Sequence, residues 1–372
     1  MIYLDNAATT PMSLLAISTM TKVMQDIYGN PSSIHSHGRL ANKLLREARQ
    51  DLAKLLGTKP DKLFFTAGGT ESNNTVIIGY CLRNQHRGKH IITTAIEHHS
   101  VLEPIEYLVK QFGFEVTIIQ PDRQVITAQQ IQEALRNDTI LVSTMFVNNE
   151  TGTLLPIAEI GEVLKNHPAA YHVDAVQAIG KIPIIPDELG IDFLSASAHK
   201  FHGPKGVGFL YASDANFDSY LHGGDQERKK RAGTENLPGI VAMVAALKEE
   251  LANHDQNYQV VNDLQKIFLR EIEGCSYYLN QGKKQLPYVL NIGFPGQKND
   301  LLLLRLDLAG ISISTGSACT AGVVQPSHVL KAFYGEDSHR LSESVRISLS
   351  SQNTKEEIIQ LANTLKEIIG EK

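Results

Sequence analysis

The chain has 372 residues, 42% apolar and 20% charged, with a formal net charge of −5. That length exceeds one compact domain and predicts a large domain joined to a smaller one. Lys and Arg are scattered, which argues against a nucleic-acid or anionic-membrane surface. No apolar run is long enough to cross a bilayer, and no basic flank with an apolar run opens the chain, so a cytoplasmic protein is expected.

Three cysteines, Cys81, Cys275 and Cys319, stand at irregular spacing with no CxxC pair. They form no disulfide framework, so a reducing compartment is expected and any cysteine that matters acts as a thiol.

From about residue 60 the chain alternates apolar runs with helical patterns. The runs 62–66, 90–94, 115–119, 139–144, 170–173, 191–194 and 206–211 read as strands, and 71–82, 101–112, 128–136 and 158–166 carry helical spacing. Such alternation predicts an α/β fold whose mostly parallel sheet is covered on both faces. Ligands bind such sheets outside the carboxyl ends of the strands. After residue 239 the pattern changes to helices at 240–252 and 258–273, strand-like runs at 288–292, 311–314 and 345–349, a helix near 300–308 and an amphipathic helix over 355–369. This predicts a large α/β domain over 14–250 and a smaller α+β domain built from 1–13 and 251–372.

The chemistry-bearing residues fall on the turns after the strands. Thr66-Ala-Gly68-Gly69-Thr70-Glu71-Ser72 joins a strand to a helix, and its glycines let the backbone approach an anion at the helix start. A plain turn with Thr70 as the cap reads equally well. Glu97-His98-His99 follows the next strand. A histidine there could stack on a flat cofactor and move protons, or simply cap the following helix. No carboxylate or cysteine stands at zinc-ligand spacing beside it, so no metal is expected.

Lys200, in Ser195-Ala-Ser197-Ala-His199-Lys200-Phe-His-Gly-Pro-Lys-Gly206, leaves an apolar strand for a glycine-rich loop. Neighbours there can desolvate the amine and lower its pKa, and such an amine condenses with an aldehyde cofactor. Upstream, Tyr171-His-Val-Asp174-Ala-Val-Gln177 ends a strand in a carboxylate able to pair with a pyridinium nitrogen. The two together are what pyridoxal phosphate enzymes require. Taken singly, Lys200 also reads as a solvated loop lysine and Asp174 as a strand-end cap. Cys319, among small residues in Gly316-Ser-Ala-Cys319-Thr-Ala-Gly322, does not look like a core thiol. Arg346 interrupts an apolar strand, where its fork could hold a carboxylate or snorkel to solvent.

These segments together resemble the class V aminotransferase-like family, specifically the cysteine desulfurases of the NifS/IscS type. The likeness spans nearly the whole chain, through Tyr3-Leu-Asp-Asn-Ala-Ala-Thr-Thr-Pro11, Gly29-Asn-Pro-Ser-Ser-Ile-His35, Phe65-Thr-Ala-Gly-Gly-Thr-Glu-Ser72, Glu97-His98, Asn148-Asn149-Glu150, His199-Lys200, Arg231-Ala-Gly-Thr234 and Gly316-Ser-Ala-Cys-Thr320.

The resemblance implies an aspartate aminotransferase-like fold with a seven-stranded sheet, pyridoxal 5'-phosphate as cofactor, L-cysteine as substrate and a homodimer. It implies that Lys200 forms the Schiff base, Asp174 pairs with the ring nitrogen, Gln177 bonds the ring hydroxyl and His98 stacks on the ring. Gly69, Thr70, Ser197 and His199 would hold the phosphate, with Thr234 reaching over from a second subunit. Asn149 would lie near ring and substrate, Arg346 and Asn30 would hold the substrate carboxylate, and Cys319 would accept the sulfur as a persulfide.

A selenocysteine lyase or aminotransferase of the same fold would need no thiol at position 319. A non-enzymatic member would not need Lys200, Asp174, His98 and Cys319 together. The short C-terminus after Ile369 and the segment Ala321-Gly-Val-Val-Gln325 depart from the family pattern. They leave open whether the sulfur-acceptor protein serves iron–sulfur assembly, tRNA thiolation or a dedicated client.

Overall fold

The computed structural model describes residues 1–316 and 326–370 and, between them, the backbone of Cys319–Thr320 and Val323–Val324. Its strands are β1 (Ile2–Tyr3), β2 (Leu63–Thr66), β3 (His90–Thr94), β4 (Glu115–Ile119), β5 (Thr139–Met145), β6 (Ala170–Asp174), β7 (Phe193–Ser197) and β8 (Gly208–Ala212). They continue with β9 (Tyr278–Leu279), β10 (Val289–Gly293), β11 (Ile311–Ser312), β12 (Cys319–Thr320), β13 (Val323–Val324) and β14 (Ser344–Ser348).

Seven of these form one mixed sheet in the order β2-β8-β7-β6-β5-β3-β4. Only β8 runs antiparallel to its neighbours; the other pairings are parallel. The expected mostly parallel sheet is therefore present, with one reversed strand. Because β8 is reversed, its start at Gly208 lies at the same edge as the ends of the other six, which brings the Lys205–Gly206 turn into that edge.

β2, β3, β5, β6, β7 and β8 are buried on both faces, so they read as continuous apolar runs rather than alternating ones, whereas the edge strand β4 buries only Ile119. Along β2, Phe64 joins a core with Val76, Ile77, Val101, Ile105 and Leu108 from the helical run 69–84 and the helix His99–Phe112. Leu63 and Phe65 face the other way, into a core with Ala41, Leu45 and Leu52 of helix Ser36–Leu55 and Ile240 and Met243 of helix Leu237–Ala252. That second core runs on without a break through Phe268, Tyr288, Ile347 and Leu361.

The C-terminal part holds a three-stranded antiparallel sheet, β14-β10-β9, backed by helices His254–Glu271 and Lys355–Gly370. β1 pairs with β11 in parallel, Asp5 bridges to Ser348 and Ser314 bridges to Arg346. The first residues thus join this part, as the sequence suggests.

Two long helices, Leu14–Asp26 and Ser36–Leu55, occupy a stretch the sequence reading leaves unassigned. The first buries only Ala16 and Val23 and exposes Leu14, Leu15, Ile17 and Met24, so its apolar pattern has no clean face. The second has a regular face of Ala41, Leu45, Ala48 and Leu52, carried largely by alanines.

Candidate active site

The carboxyl ends of β2, β3, β5, β6 and β7 open onto one cavity of about 1120 Å³. Asp174 is the last residue of β6, and Lys200 comes three residues after β7. Lys200 Nζ donates to the carbonyls of Ala7 and Ala8, both at 2.7 Å. Burial, then the positive charges of Arg346 and Lys181, bring this amine down from 10.5 to about 7, against the opposing pull of Asp5 and Asp174. It is therefore substantially unprotonated near neutrality, the state in which a lysine is a nucleophile.

Asp174 is held from two sides: Oδ2 accepts from Asn73 Nδ2 at 2.8 Å, and Oδ1 from the Val176 N–H at 3.0 Å. Asn73 also donates to Ser100 Oγ at 2.9 Å, and that hydroxyl lies 2.7 Å from His98 Nδ1. His98 is the N-cap of helix His99–Phe112, and its Nδ1 accepts the Ser100 N–H at 3.1 Å. With Nδ1 an acceptor, the neutral ring carries its proton on Nε2. Burial lowers the pKa of His98 against the pull of Asp174, so neutral is its preferred state.

At the end of β2 the backbone is bare. Gly68 sits at φ 149°, and a Cβ there would lie 3.2 Å from Ser197 Oγ; a Cβ on Gly69 would meet Val176 Cγ2 at 2.5 Å. Gly68 provides no side-chain cap to the helix that begins at Gly69. The first N–H groups of that helix are thus left for an acceptor from elsewhere. Thr70, Ser197 and His199 line the same pocket. His199 Nδ1 lies 3.2 Å from Thr9 Oγ1, and burial with the neighbouring Lys200 and Lys205 lowers it to about 4, so it is neutral.

Gln177 donates through Nε2 to the Ala7 carbonyl at 2.9 Å. Arg346 is buried in β14, with NH2 on Asp5 Oδ1 at 2.7 Å and NH1 on the Asn149 carbonyl at 3.0 Å; its Nε has no partner among the described residues. Asn149 lines the cavity beside it. At the cavity rim, Glu150 accepts from Ser327 Oγ, and His328 Nε2 lies 2.8 Å from the Glu97 carbonyl.

The structure brings together Lys200, His98, Asp174, Gln177, Gly69, Thr70, Asn149, Ser197, His199 and Arg346. Asn30 and Thr234 do not line the cavity; both are exposed, and Asn30 Oδ1 accepts its own turn's Ser32 N–H at 2.9 Å. The side chain of Cys319 lies outside the described residues; its backbone pairs with Val324 across the β12–β13 hairpin. Asp5, Asn73 and the Ala7 carbonyl escape a reading of the sequence, because their parts follow from long-range contacts. Among the described residues, no group of three or more His, Cys, Asp or Glu could hold a metal ion, and no helix is long and apolar enough to cross a membrane.

Residues 2–361 match the family model described as "Aminotransferase class-V". The chain therefore belongs to the class V aminotransferase family. Among curated relatives, the "Putative cysteine desulfurase IscS 1" of Bacillus subtilis is 47% identical, over 99% of this chain and 98% of that one. Among solved structures, a "NIFS-LIKE PROTEIN" superposes with a TM-score of 0.93 at 35% identity, covering 99% of each chain. The structure titled "SspA in complex with cysteine" superposes with a TM-score of 0.84 at 35% identity, covering 95% of this chain and 100% of that one.

Members of this family depend on pyridoxal phosphate, and the residues here fit it. A glycine-built backbone cradle, a lysine amine partly free at neutrality, an anchored carboxylate and a neutral histidine face one cavity large enough for cofactor and substrate.

Proposed function

We propose that this chain is a pyridoxal phosphate-dependent cysteine desulfurase. It converts L-cysteine to L-alanine and keeps the sulfur as a persulfide on Cys319 for transfer to an acceptor protein. The observation that carries this reading is Lys200, a cavity amine brought to about 7 beside the doubly anchored Asp174. The relatives' names and the cysteine complex of SspA support the same substrate.

The bound cofactor supplies an electron sink that makes the substrate Cα acidic. Lys200 would hold the cofactor covalently, and Asp174 would keep the ring nitrogen protonated; its two donors prevent it from turning away. Gln177 meets the ring hydroxyl. His98 would pack on the ring and, with Nδ1 engaged, offer Nε2–H as a proton donor. Gly69, Thr70, Ser197 and His199 take the phosphate, with Thr234 from a second subunit. Arg346 exchanges Asp5 for the substrate carboxylate, assisted by Asn149 and Asn30. The Cys319 thiolate then attacks the substrate sulfur. An S–S bond forms, the C–S bond breaks, and its electron pair and a proton end on the alanine carbon.

Residues 14–250 form the cofactor-binding domain; 1–13 and 251–372 form the smaller domain that carries Cys319. The protein is a homodimer, a reading supported by Leu14, Met24, Tyr28 and Ile34, which are 85%, 60%, 74% and 90% exposed within one short stretch of chain. It works in the cytoplasm, and its acceptor belongs to iron–sulfur assembly, tRNA thiolation or a dedicated client.

The test is alanine and sulfide formation from L-cysteine with a reductant. Cys319→Ser should lose at least about 10³-fold in turnover, as loss of a nucleophile does. Turnover by Cys319→Ser at the wild-type rate would refute the mechanism. Lys200→Ala should retain no lysine-linked cofactor after dialysis, and retention would sink that assignment.

A further inference from the structure

Lys181 is a buried cation that the proposed chemistry does not use, and burying a lysine is costly unless something is gained. It follows Asp174 by two helical turns: Ile179 and Lys181 donate to Ala175 and Ala178 through N–H···O bonds of 2.9 Å each. Gln177 and Lys181 therefore stand on one side of the same short coil. Lys181 Nζ donates to Gln177 Oε1 at 3.1 Å and lies 5.5 Å from the centre of the Tyr288 ring.

An ammonium group only donates hydrogen bonds. The amide oxygen of Gln177 must therefore face Lys181, which turns its NH2 away, to the Ala7 carbonyl at 2.9 Å. The same carbonyl accepts from Lys200 at 2.7 Å. The Ala7 carbonyl, which can only accept, holds the NH2 end of this amide, and Lys181, which can only donate, holds the oxygen end. We infer that Lys181 is a positioning residue that locks the Gln177 amide with its NH2 on the cavity side, so that the ligand atom Gln177 meets is a hydrogen-bond acceptor.

The charged and titratable groups around Lys181 come from several elements. Glu250 faces it from helix Leu237–Ala252 and Arg346 from β14, while Tyr288 lies under it and His254 Nε2 reaches its carbonyl at 3.0 Å. Burial lowers Lys181 to about 8, with Glu250 opposing and Arg346 adding to the shift. Burial likewise raises Glu250 to about 7. Lys181 thus carries its proton through neutrality.

This inference rests on the proposed contact of Gln177 with the ring hydroxyl of the bound cofactor. A donor at that oxygen favours its ionised form, and a locked donor does so at all times. The test is a pH titration of the visible absorbance of the holoenzyme. Lys181→Met should raise the titration midpoint by about one pH unit, while Lys181→Arg, which still only donates, should stay at the wild-type midpoint. Lys181→Gln, whose amide pairs with Gln177 in either orientation, should shift the same way as Lys181→Met and guards against a Met variant that folds poorly.

The decisive arm repeats Lys181→Met in a Gln177→Ala background, where the shift should vanish. A shift of equal size there would mean that Lys181 acts through its charge alone and would overturn the inference, as would an unshifted Lys181→Met. Borohydride reduction followed by peptide mass spectrometry reports separately whether the cofactor sits on Lys200, so a failure of the proposed function is distinguished from a failure of Lys181.

Discussion

The exits of β6 and β7 and the exit of β2 serve the same cavity, but they are built differently. At the first, Asp174, Gln177 and Lys200 are placed by strand ends and a short coil, and their partners are amides and carbonyls, with the buried Lys181 on the amide oxygen of Gln177. Among the described residues, His202, at φ 61°, is the non-glycine left-handed residue there, held by the Pro11 carbonyl and Thr10 Oγ1, each at 2.8 Å. At the second, Glu227, Arg228 and Lys229 stand at φ 46°, 56° and 65° in succession. Such residues cost on the order of 1–3 kcal/mol each and persist only where surroundings over-determine them. Here Glu227 is buried, takes Arg49 in a two-pronged pair at 2.5 and 2.8 Å and accepts the Phe65 N–H at 3.0 Å. Arg231 then clamps Glu71, just past the Gly68–Gly69 cradle, at 2.9 Å. One exit is ordered by geometry the strands already have; the other holds a strained turn in place with a buried ion pair.

That contrast can be broken where it is strongest. Arg49→Met removes the counter-charge of a buried carboxylate and the brace of the turn, so it should cost about 3–5 kcal/mol in denaturant unfolding. It should also weaken cofactor binding through the adjoining cradle. As a control, Arg136 pairs with Glu115 and Asp138 at the surface, its side chain 43% exposed. Arg136→Met should therefore leave the denaturant midpoint nearly unchanged, since exposed ion pairs are screened by solvent. Equal losses in the two variants would remove the distinction between a charge-braced exit and a geometry-built one.

The other exit is sharpened by pH. Lys200 has a folded-state pKa of about 7 against 10.5 for an ordinary lysine, so only above about 7 is the folded amine mostly free. Capture of pyridoxal phosphate by the apoprotein, followed by absorbance, should rise about tenfold per pH unit below that point and level off above it. A rate still climbing at pH 9 would mean that the amine is not desolvated as described. For stability the sign is fixed by the same shift: between about 7 and 10.5 the unfolded chain binds the extra proton, so this group makes the apoprotein more stable as pH rises through that window.

The difference between the exits also explains what the sequence reveals. Strand runs were legible because both faces of the sheet are buried, and Lys200, Asp174, His98 and the glycine pair were legible because each sits at a fixed offset from a strand end. The reversed β8 was not, since its run 206–211 looks like any other strand and direction is set by pairing. Nor could the Arg49–Glu227 brace be read, because its partners are far apart along the chain and the left-handed turn is spelled Glu-Arg-Lys, without glycine. Asp5 on Arg346 and Asn73 between Asp174 and Ser100 are hidden for the same reason. Both N-terminal helices go unassigned from the sequence: Ser36–Leu55 has a regular face, but one carried by alanines, and Leu14–Asp26, with apolar residues on its exposed side, has no single stripe to find.

The most direct measurement is where the sulfur goes. Holoenzyme given one equivalent of L-cysteine without reductant should release one equivalent of alanine, and peptide mass spectrometry should find one added sulfur atom on Cys319. The buried Cys81 and the half-buried Cys275 should be unmodified. Alanine released with no sulfur on Cys319, or with the sulfur on Cys275 instead, would contradict the account.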